Sequence, residues 1–266
     1  QRLFELRQHQ AVLGVVAAGS ATLVACGDSD NGSTTETTAA AIEGLSGTTG
    51  QLVGEGSSAQ QNAMDYFGQK YQEAVSGATL AYTASGSGSG RTNFVGGQVD
   101  FGGSDSPLTD EQIQQASERC EGNEAWHLPF VIGPVAVAYN LEGVDELNLS
   151  TENVAKIFKG EITKWNDEAI AAENEGVELP DTDIAVVYRS DESGTTDNFQ
   201  KFLKASAPEI WETDGQQFPA AVGEGANGSN GVATQVSAID GGITYVEAGF
   251  ATQQGLGVAP TVSSAR

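Results

Sequence analysis

Short runs of β-branched and apolar residues alternate along the chain with stretches in which apolar side chains return every three or four positions. Residues 51–53 read as a short strand, and from 59 to 75 the positions Ala63, Phe67, Tyr71 and Ala74 or Val75 recur at helical spacing. Residues 78–83 read as a second strand, followed by a Ser-Gly loop over 85–90, a short helix and a strand at 99–101. Thr109 is placed to cap a helix over 111–119. Residues 128–139 are almost continuously apolar and β-rich, as a buried strand would be. Ser150 or Thr151 caps a helix ending near Gly160, residues 184–188 form another buried strand, 193–196 open a helix, and 243–246 are the last clear strand. Strand alternating with helix predicts α/β layers with a mostly parallel sheet in each lobe.

That pattern begins only near residue 50. Arg2, Arg7 and His9 precede an apolar stretch over 11–25 that stops at Cys26. The stretch falls short of the roughly 20 residues a membrane-spanning helix needs, and with its basic flank it reads as an export signal. Leu-Val-Ala-Cys-Gly at 23–27 resembles the lipobox of bacterial lipoproteins, which makes Cys26 the lipidation site and residues 1–25 the signal peptide; the alternative is ordinary cleavage near Ala25. Residues 26–49, rich in Ser, Thr, Gly and Ala, bury too little to offset their ordering entropy and are expected to be a flexible tether.

Composition narrows the function. With 36 acidic and 12 basic side chains the formal charge is −24, which argues against nucleic acid or anionic lipid as the main partner. Two Cys and two His cannot build a disulfide framework or a zinc cluster of the usual spacing. What remains is a repeated junction: Ser57-Ser58, Ser85 to Ser89, Ser104-Asp105-Ser106 and Ser193-Gly194-Thr195 each lie between a strand and a helix. Helix N-termini present unpaired N–H groups and partial positive charge, glycine allows close backbone approach, and hydroxyls add donors. Each serine alone is accounted for by helix capping. Four such junctions, with Arg189 beside one of them, point to an oxyanion site at the strand ends.

The runs at 54–58 (Gly-Glu-Gly-Ser-Ser), 86–90 (Gly-Ser-Gly-Ser-Gly), 99–105 (Val-Asp-Phe-Gly-Gly-Ser-Asp) and 185–195, with the Trp-containing stretch 157–167, resemble the phosphate-binding lipoproteins of bacterial high-affinity phosphate ABC importers. The resemblance implies a two-lobed periplasmic-binding-protein-like α/β fold with the ligand in the interlobe cleft. It implies lobe one over 50–130 with 247–266, and lobe two over 131–246. Carried over by position, it implies phosphate contacts from Ser58 and the Ala59 N–H, Ser87 (with Ser89 as a register alternative), Asp105, Arg189, Ser193, Gly194 and Thr195. Ser58 and Ala59 replace the family's usual Thr and aromatic residue. Arg189 would supply a planar cation. Asp105 would accept the proton that phosphate retains near neutral pH and that sulfate lacks, rejecting sulfate. The implied partners are inorganic phosphate and ABC permease subunits. The protein is expected to be a monomer at the outer face of the cytoplasmic membrane, held only by its lipid anchor, without cofactor, metal or catalysis. A sensor, or a receptor for another oxyanion such as sulfate, is the alternative, with a phosphatase behind it.

The looser dinucleotide fingerprint Gly-x-Gly-x-x-Ala at 54–59 lacks the acid expected at the end of the next strand. His127 lies in an apolar stretch without a partner nucleophile and reads as structural. Residues 227–230, before a helix starting near Val232, read as a surface loop or as a lining of the cleft, and the three Trp as core or lobe surface. Cys120 is expected to be free or to pair outside this sequence. Because the family continues beyond this point and no Met opens the chain, a fragment at both ends is expected.

Overall fold

In the computed structural model, which describes residues 48–262, side chains of alternating strand positions sort onto two faces of a central sheet. Its strands are β4 (Val135–Asn140), β6 (Ala185–Arg189), β7 (Glu224–Ala226), β8 (Gly242–Glu247) and β9 (Gly257–Ala259), in the order β7-β6-β8-β4-β9. β6 runs parallel to β7 and β8, while β4 is antiparallel to β8 and β9. Val137, Tyr139, Val186, Ile243 and Tyr245 face α4 (Thr151–Lys159) and α6 (Gly194–Ser206) in one core with Phe158, Trp165, Phe199 and Leu203. Ala138, Val187 and Val246 face the opposite way, against α7 (Gly228–Ser237) and α8 (Ala248–Gln253). This is the period-2 alternation of a sheet covered on both sides. β5 (Leu149–Ser150) and β10 (Thr261–Val262) form a separate pair, and α5 (Glu168–Ala171) packs Ile170 into the larger core.

The first lobe is smaller. β1 (Gly50–Gly56) lies between β2 (Ala78–Thr83) and β3 (Phe101–Gly103), all parallel. A 3₁₀ turn (Ser58–Gln60) leads into α1 (Gln61–Ala74), and α2 (Ser87–Val95) and α3 (Asp110–Arg119) complete the layer. Thr109 caps α3 with a reciprocal capping box to Gln112, as its sequence position suggests. The Ser-Gly run does not form a loop up to residue 90; it is the first turn of α2, packed on strand backbone. A β-carbon at Gly90 would lie 2.6 Å from the Glu55 carbonyl oxygen and 2.7 Å from that of Gly103. Only glycine lets the helix start so close to two strands.

Two further expectations differ from the structure. The apolar run 128–139 becomes strand only from Val135, where Glu247 pairs with it. Upstream, Pro129 and Pro134 lack N–H donors, and Leu128 and Ile132 are exposed. Residues 247–262 do not return to the first lobe. β9 bonds to the free edge of β4 and α8 packs on the same sheet, because Tyr139 and Val137 offer an unpaired strand edge next to the core. The described residues form a two-lobed α/β protein, with a parallel three-stranded sheet in the first lobe and a mixed five-stranded sheet in the second, flanked by helices. Among the described residues, no helix is long and apolar enough to cross a membrane. The export signal, Cys26 and the tether up to residue 47 lie outside the described residues.

Candidate functional site

β6 ends at Arg189, whose side chain is buried. Its Nε donates to Asp191 Oδ1 at 2.7 Å, and Nη2 donates to Oδ2 of the same carboxylate. Asp191 also accepts the Gly228 N–H from the start of α7 at 3.0 Å. Burial by itself pushes the Asp191 carboxyl up, but the Arg189 hydrogen bonds and charge, aided by Gly228, hold it net below the ordinary aspartate value. The Arg189 backbone N–H donates to the Tyr245 hydroxyl at 3.2 Å, and that hydroxyl shares a 2.8 Å hydrogen bond with Thr196 Oγ1. Burial pushes Tyr245 up to about 12, so it stays a neutral phenol tying β6 to α6.

α6 begins beside this arginine. Ser193 is its N-cap, with Oγ accepting the Thr196 N–H at 3.1 Å. A β-carbon at Gly194 would sit 2.6 Å from Ser87 Oγ and 2.7 Å from Asp105 Cβ. Glycine therefore lets the helix dipole approach the first lobe's loops directly.

From the first lobe, Asp105 is surrounded by donors. Ser57 Oγ lies 2.7 Å from both carboxylate oxygens, Gln60 Nε2 donates at 3.3 Å, and the hydroxyls of Ser87 and Thr195 approach at 3.5 Å. The Asp105 N–H donates to Ser87 Oγ at 3.1 Å, and Asn198 Nδ2 of α6 donates to the Asp105 carbonyl at 2.9 Å. Ser58 Oγ accepts the Ser229 N–H at 2.8 Å and lies 3.0 Å from Ser229 Oγ. Further contacts hold the lobes together: Ser106 Oγ donates to Asp197 at 2.6 Å, and the Gly88 N–H donates to the Glu192 carbonyl at 2.9 Å.

The structure thus brings Ser58, Ser87, Asp105, Arg189, Ser193, Gly194 and Thr195 to one junction. Between the register alternatives, Ser87 bonds Asp105 and is fully buried, whereas Ser89 is only half-buried. The Ala59 N–H is placed differently from its expected role, since it donates to Ser57 Oγ at 3.2 Å. His127 accepts the Leu108 N–H at 3.1 Å through Nε2, a structural contact. Trp165 and Trp211 are core, and Trp126 is exposed. Within 227–230 the chain is buried at Gly228 and Ser229, and only Asn227 and Asn230 are exposed. Sequence reasoning missed Gln60, Asp191 and Tyr245 as site residues; it placed Ser57 at a junction without giving it a contact, and it left Ser229 within a stretch read as surface loop or cleft lining. Asp191 carried a local signal, a carboxylate two positions from the arginine. Tyr245 carried none, because its partners lie 49 and 56 positions away.

An arginine, a helix N-terminus and a set of hydroxyls around Asp105 gather where two α/β lobes meet, the kind of donor set that suits a small oxyanion. Residues 22–265 match a family model described as a PBP superfamily domain. Phosphate-binding protein PstS 3 of Mycobacterium tuberculosis is 47% identical over 266 residues, covering 98% of this chain and 71% of that protein. PstS 2 of the same species is 43% identical, covering 96% and 70%. The chain belongs to the PBP superfamily and, within it, to the phosphate-binding proteins of the PstS type. Among solved structures, a high-affinity periplasmic phosphate-binding protein with phosphate bound (PfluDING) superposes with a TM-score of 0.63 at 26% identity, over 80% of this chain and 62% of that one. A human phosphate binding apolipoprotein gives a TM-score of 0.56 at 26% identity, over 75% and 57%.

Proposed function

We propose that this protein captures inorganic phosphate outside the cytoplasmic membrane and delivers it to the membrane subunits of an ABC importer, without chemistry on the ligand. The observation that carries this reading is the pairing of opposites at one junction. Arg189 with the first turn of α6 offers donors from the second lobe, and Asp105 offers an acceptor from the first. A fully deprotonated oxyanion suits the donors and is repelled by Asp105. Phosphate retaining a proton suits both, because that proton has an acceptor waiting. Ser58, Ser87, Ser193, Gly194 and Thr195 supply the remaining hydroxyls and N–H groups, and the main chain at Ala59 contributes after release from Ser57.

The same reading assigns lobe one to about 50–130 and lobe two to the chain after it, with residues 247–262 on the second lobe's sheet. Cys26 carries the lipid anchor, residues 26–49 are the tether, and the protein works as a monomer on the outer face of the membrane. The test is titration calorimetry of the chain with phosphate, repeated in excess sulfate. One phosphate per chain, with an affinity that excess sulfate leaves unchanged, is expected. Preference for sulfate would overturn the substrate. No binding by a chain that circular dichroism shows to be folded would overturn the reading as a whole.

A further inference from the structure

We infer that Ser229, at the start of α7, is a positioning residue of the oxyanion site and, through Ser58, the catch that couples an occupied site to lobe closure. The inference rests on the phosphate reading above and adds the start of α7 to that site.

Ser58 and Ser229 are both buried, and they belong to different lobes. The Ser229 N–H donates to Ser58 Oγ at 2.8 Å, the two hydroxyl oxygens are 3.0 Å apart, and Arg189 Nη1 donates to Ser229 Oγ at 3.4 Å. Two hydroxyls in mutual contact share one proton between them, so the second hydroxyl proton must go elsewhere. If Ser229 donates to Ser58, then Ser58 Oγ accepts from both the N–H and the hydroxyl of Ser229, and its own proton is spare. If Ser58 donates, Ser229 Oγ accepts from Ser58 and Arg189, and the Ser229 proton is spare. In either arrangement one buried O–H of the pair is left without a hydrogen-bond acceptor among the described residues; in the second it sits on the Ser229 oxygen, 3.4 Å from Arg189 Nη1, and in the first on Ser58, the next hydroxyl along. A buried donor without an acceptor is costly, and an oxyanion on Arg189 supplies one.

The consequence is a coupling between ligand and closure. The Ser58–Ser229 pair exists only while the lobes are together, so an anion that accepts its spare proton binds the closed state better than the open one. The same turn of α7 also donates the Gly228 N–H to Asp191, the partner that holds Arg189. One helix start thus fixes the cation on its own lobe and a hydroxyl on the other.

The test is a double-mutant cycle on the full chain, with Ser229→Ala, Ser58→Ala and both together, reading phosphate affinity and dissociation rate. Each single change is expected to weaken phosphate about tenfold, mainly through faster release, as for one lost hydrogen bond to a charged group. The double variant should be little weaker than either single one, because each breaks the same pair. Ser229→Thr, which keeps the hydroxyl, should bind within about twofold of the wild-type chain. Unchanged affinity and release in Ser229→Ala, or single effects that simply multiply, would overturn the inference. If Ser229→Ala does not fold, the Ser229 amide exchange in Ser58→Ala carries the decision. Failure of the parent reading is separable by a readout without ligand: exchange of the Ser229 amide hydrogen. Faster exchange in Ser58→Ala than in wild type supports the catch even if phosphate does not bind, and equal exchange contradicts it.

Discussion

The second lobe buries Trp165, Tyr139, Tyr245 and Phe158 at 1% exposure or less, while the first buries only small or slender side chains such as Val75, Ala78 and Ala116 and leaves Leu52, Tyr66 and Phe67 about half exposed. The site inherits this asymmetry. Arg189 is fixed by its own lobe, through Asp191, Gly228 and the Tyr245 hydroxyl, before any ligand arrives. Asp105 is held partly by its neighbours Ser57, Gln60 and Ser87 and partly across the junction by Asn198 and Thr195. The cation is therefore preorganised and the acceptor is completed on closure, an arrangement in which contacts from both lobes favour the closed form.

The sharpest way to break this comparison is to remove the preorganised cation. Arg189→Ala should abolish measurable phosphate binding and lower unfolding stability by about 3–5 kcal/mol, because the Asp191 carboxylate is left buried and unpaired. Calorimetry and urea denaturation read the two effects separately. Next comes the difference in packing. Trp165→Ala in the second lobe should cost about 4 kcal/mol, against about 2 kcal/mol for Met64→Ala in the first lobe, as measured by urea denaturation. Equal costs would show that the first lobe is packed as firmly as the second.

Asp105→Asn should leave the fold intact and reduce phosphate-over-sulfate discrimination about tenfold, because an amide can donate to an oxyanion that has no proton to offer. Competition titrations with sulfate decide this, and unchanged competition would remove Asp105 from the selectivity role. The smallest effect concerns acid. The folded-state pKa of Asp191 is depressed, so its stabilising contribution is present above the ordinary aspartate value of 3.8 and is lost as pH falls from there through the folded value. The urea midpoint of the wild-type chain should fall more steeply across that window than that of Asp191→Asn, and parallel curves would contradict the Arg189–Asp191 account.

Much of this arrangement was legible locally. Ser193-Gly194-Thr195 after a β-rich run states a capped helix start by itself, and Arg189 at the strand end states the cation. Asp105 required the resemblance, since a carboxylate in an oxyanion site runs against simple charge matching. The Ser58–Ser229 pair was not legible, because its members are 171 positions apart and meet only through the docking of α7 on the first lobe. The helical start of α2 was hidden for another reason. Its Gly-Ser composition reads as a loop, and only the close approach to Glu55 and Gly103 shows why a helix can use it. The shortened β4 follows from two prolines and from a partner strand, β8, whose pairing begins only opposite Val135.

The central claim is that one oxyanion is held from both lobes, between the Arg189 guanidinium and the Asp105 carboxylate. A crystal structure of the chain grown with phosphate tests it most directly. The expected result is a single phosphate in contact with Arg189 and the first turn of α6 on one side and with Asp105 and Ser58 on the other. A phosphate resting on the second lobe alone, or anywhere away from Asp105, would contradict the account.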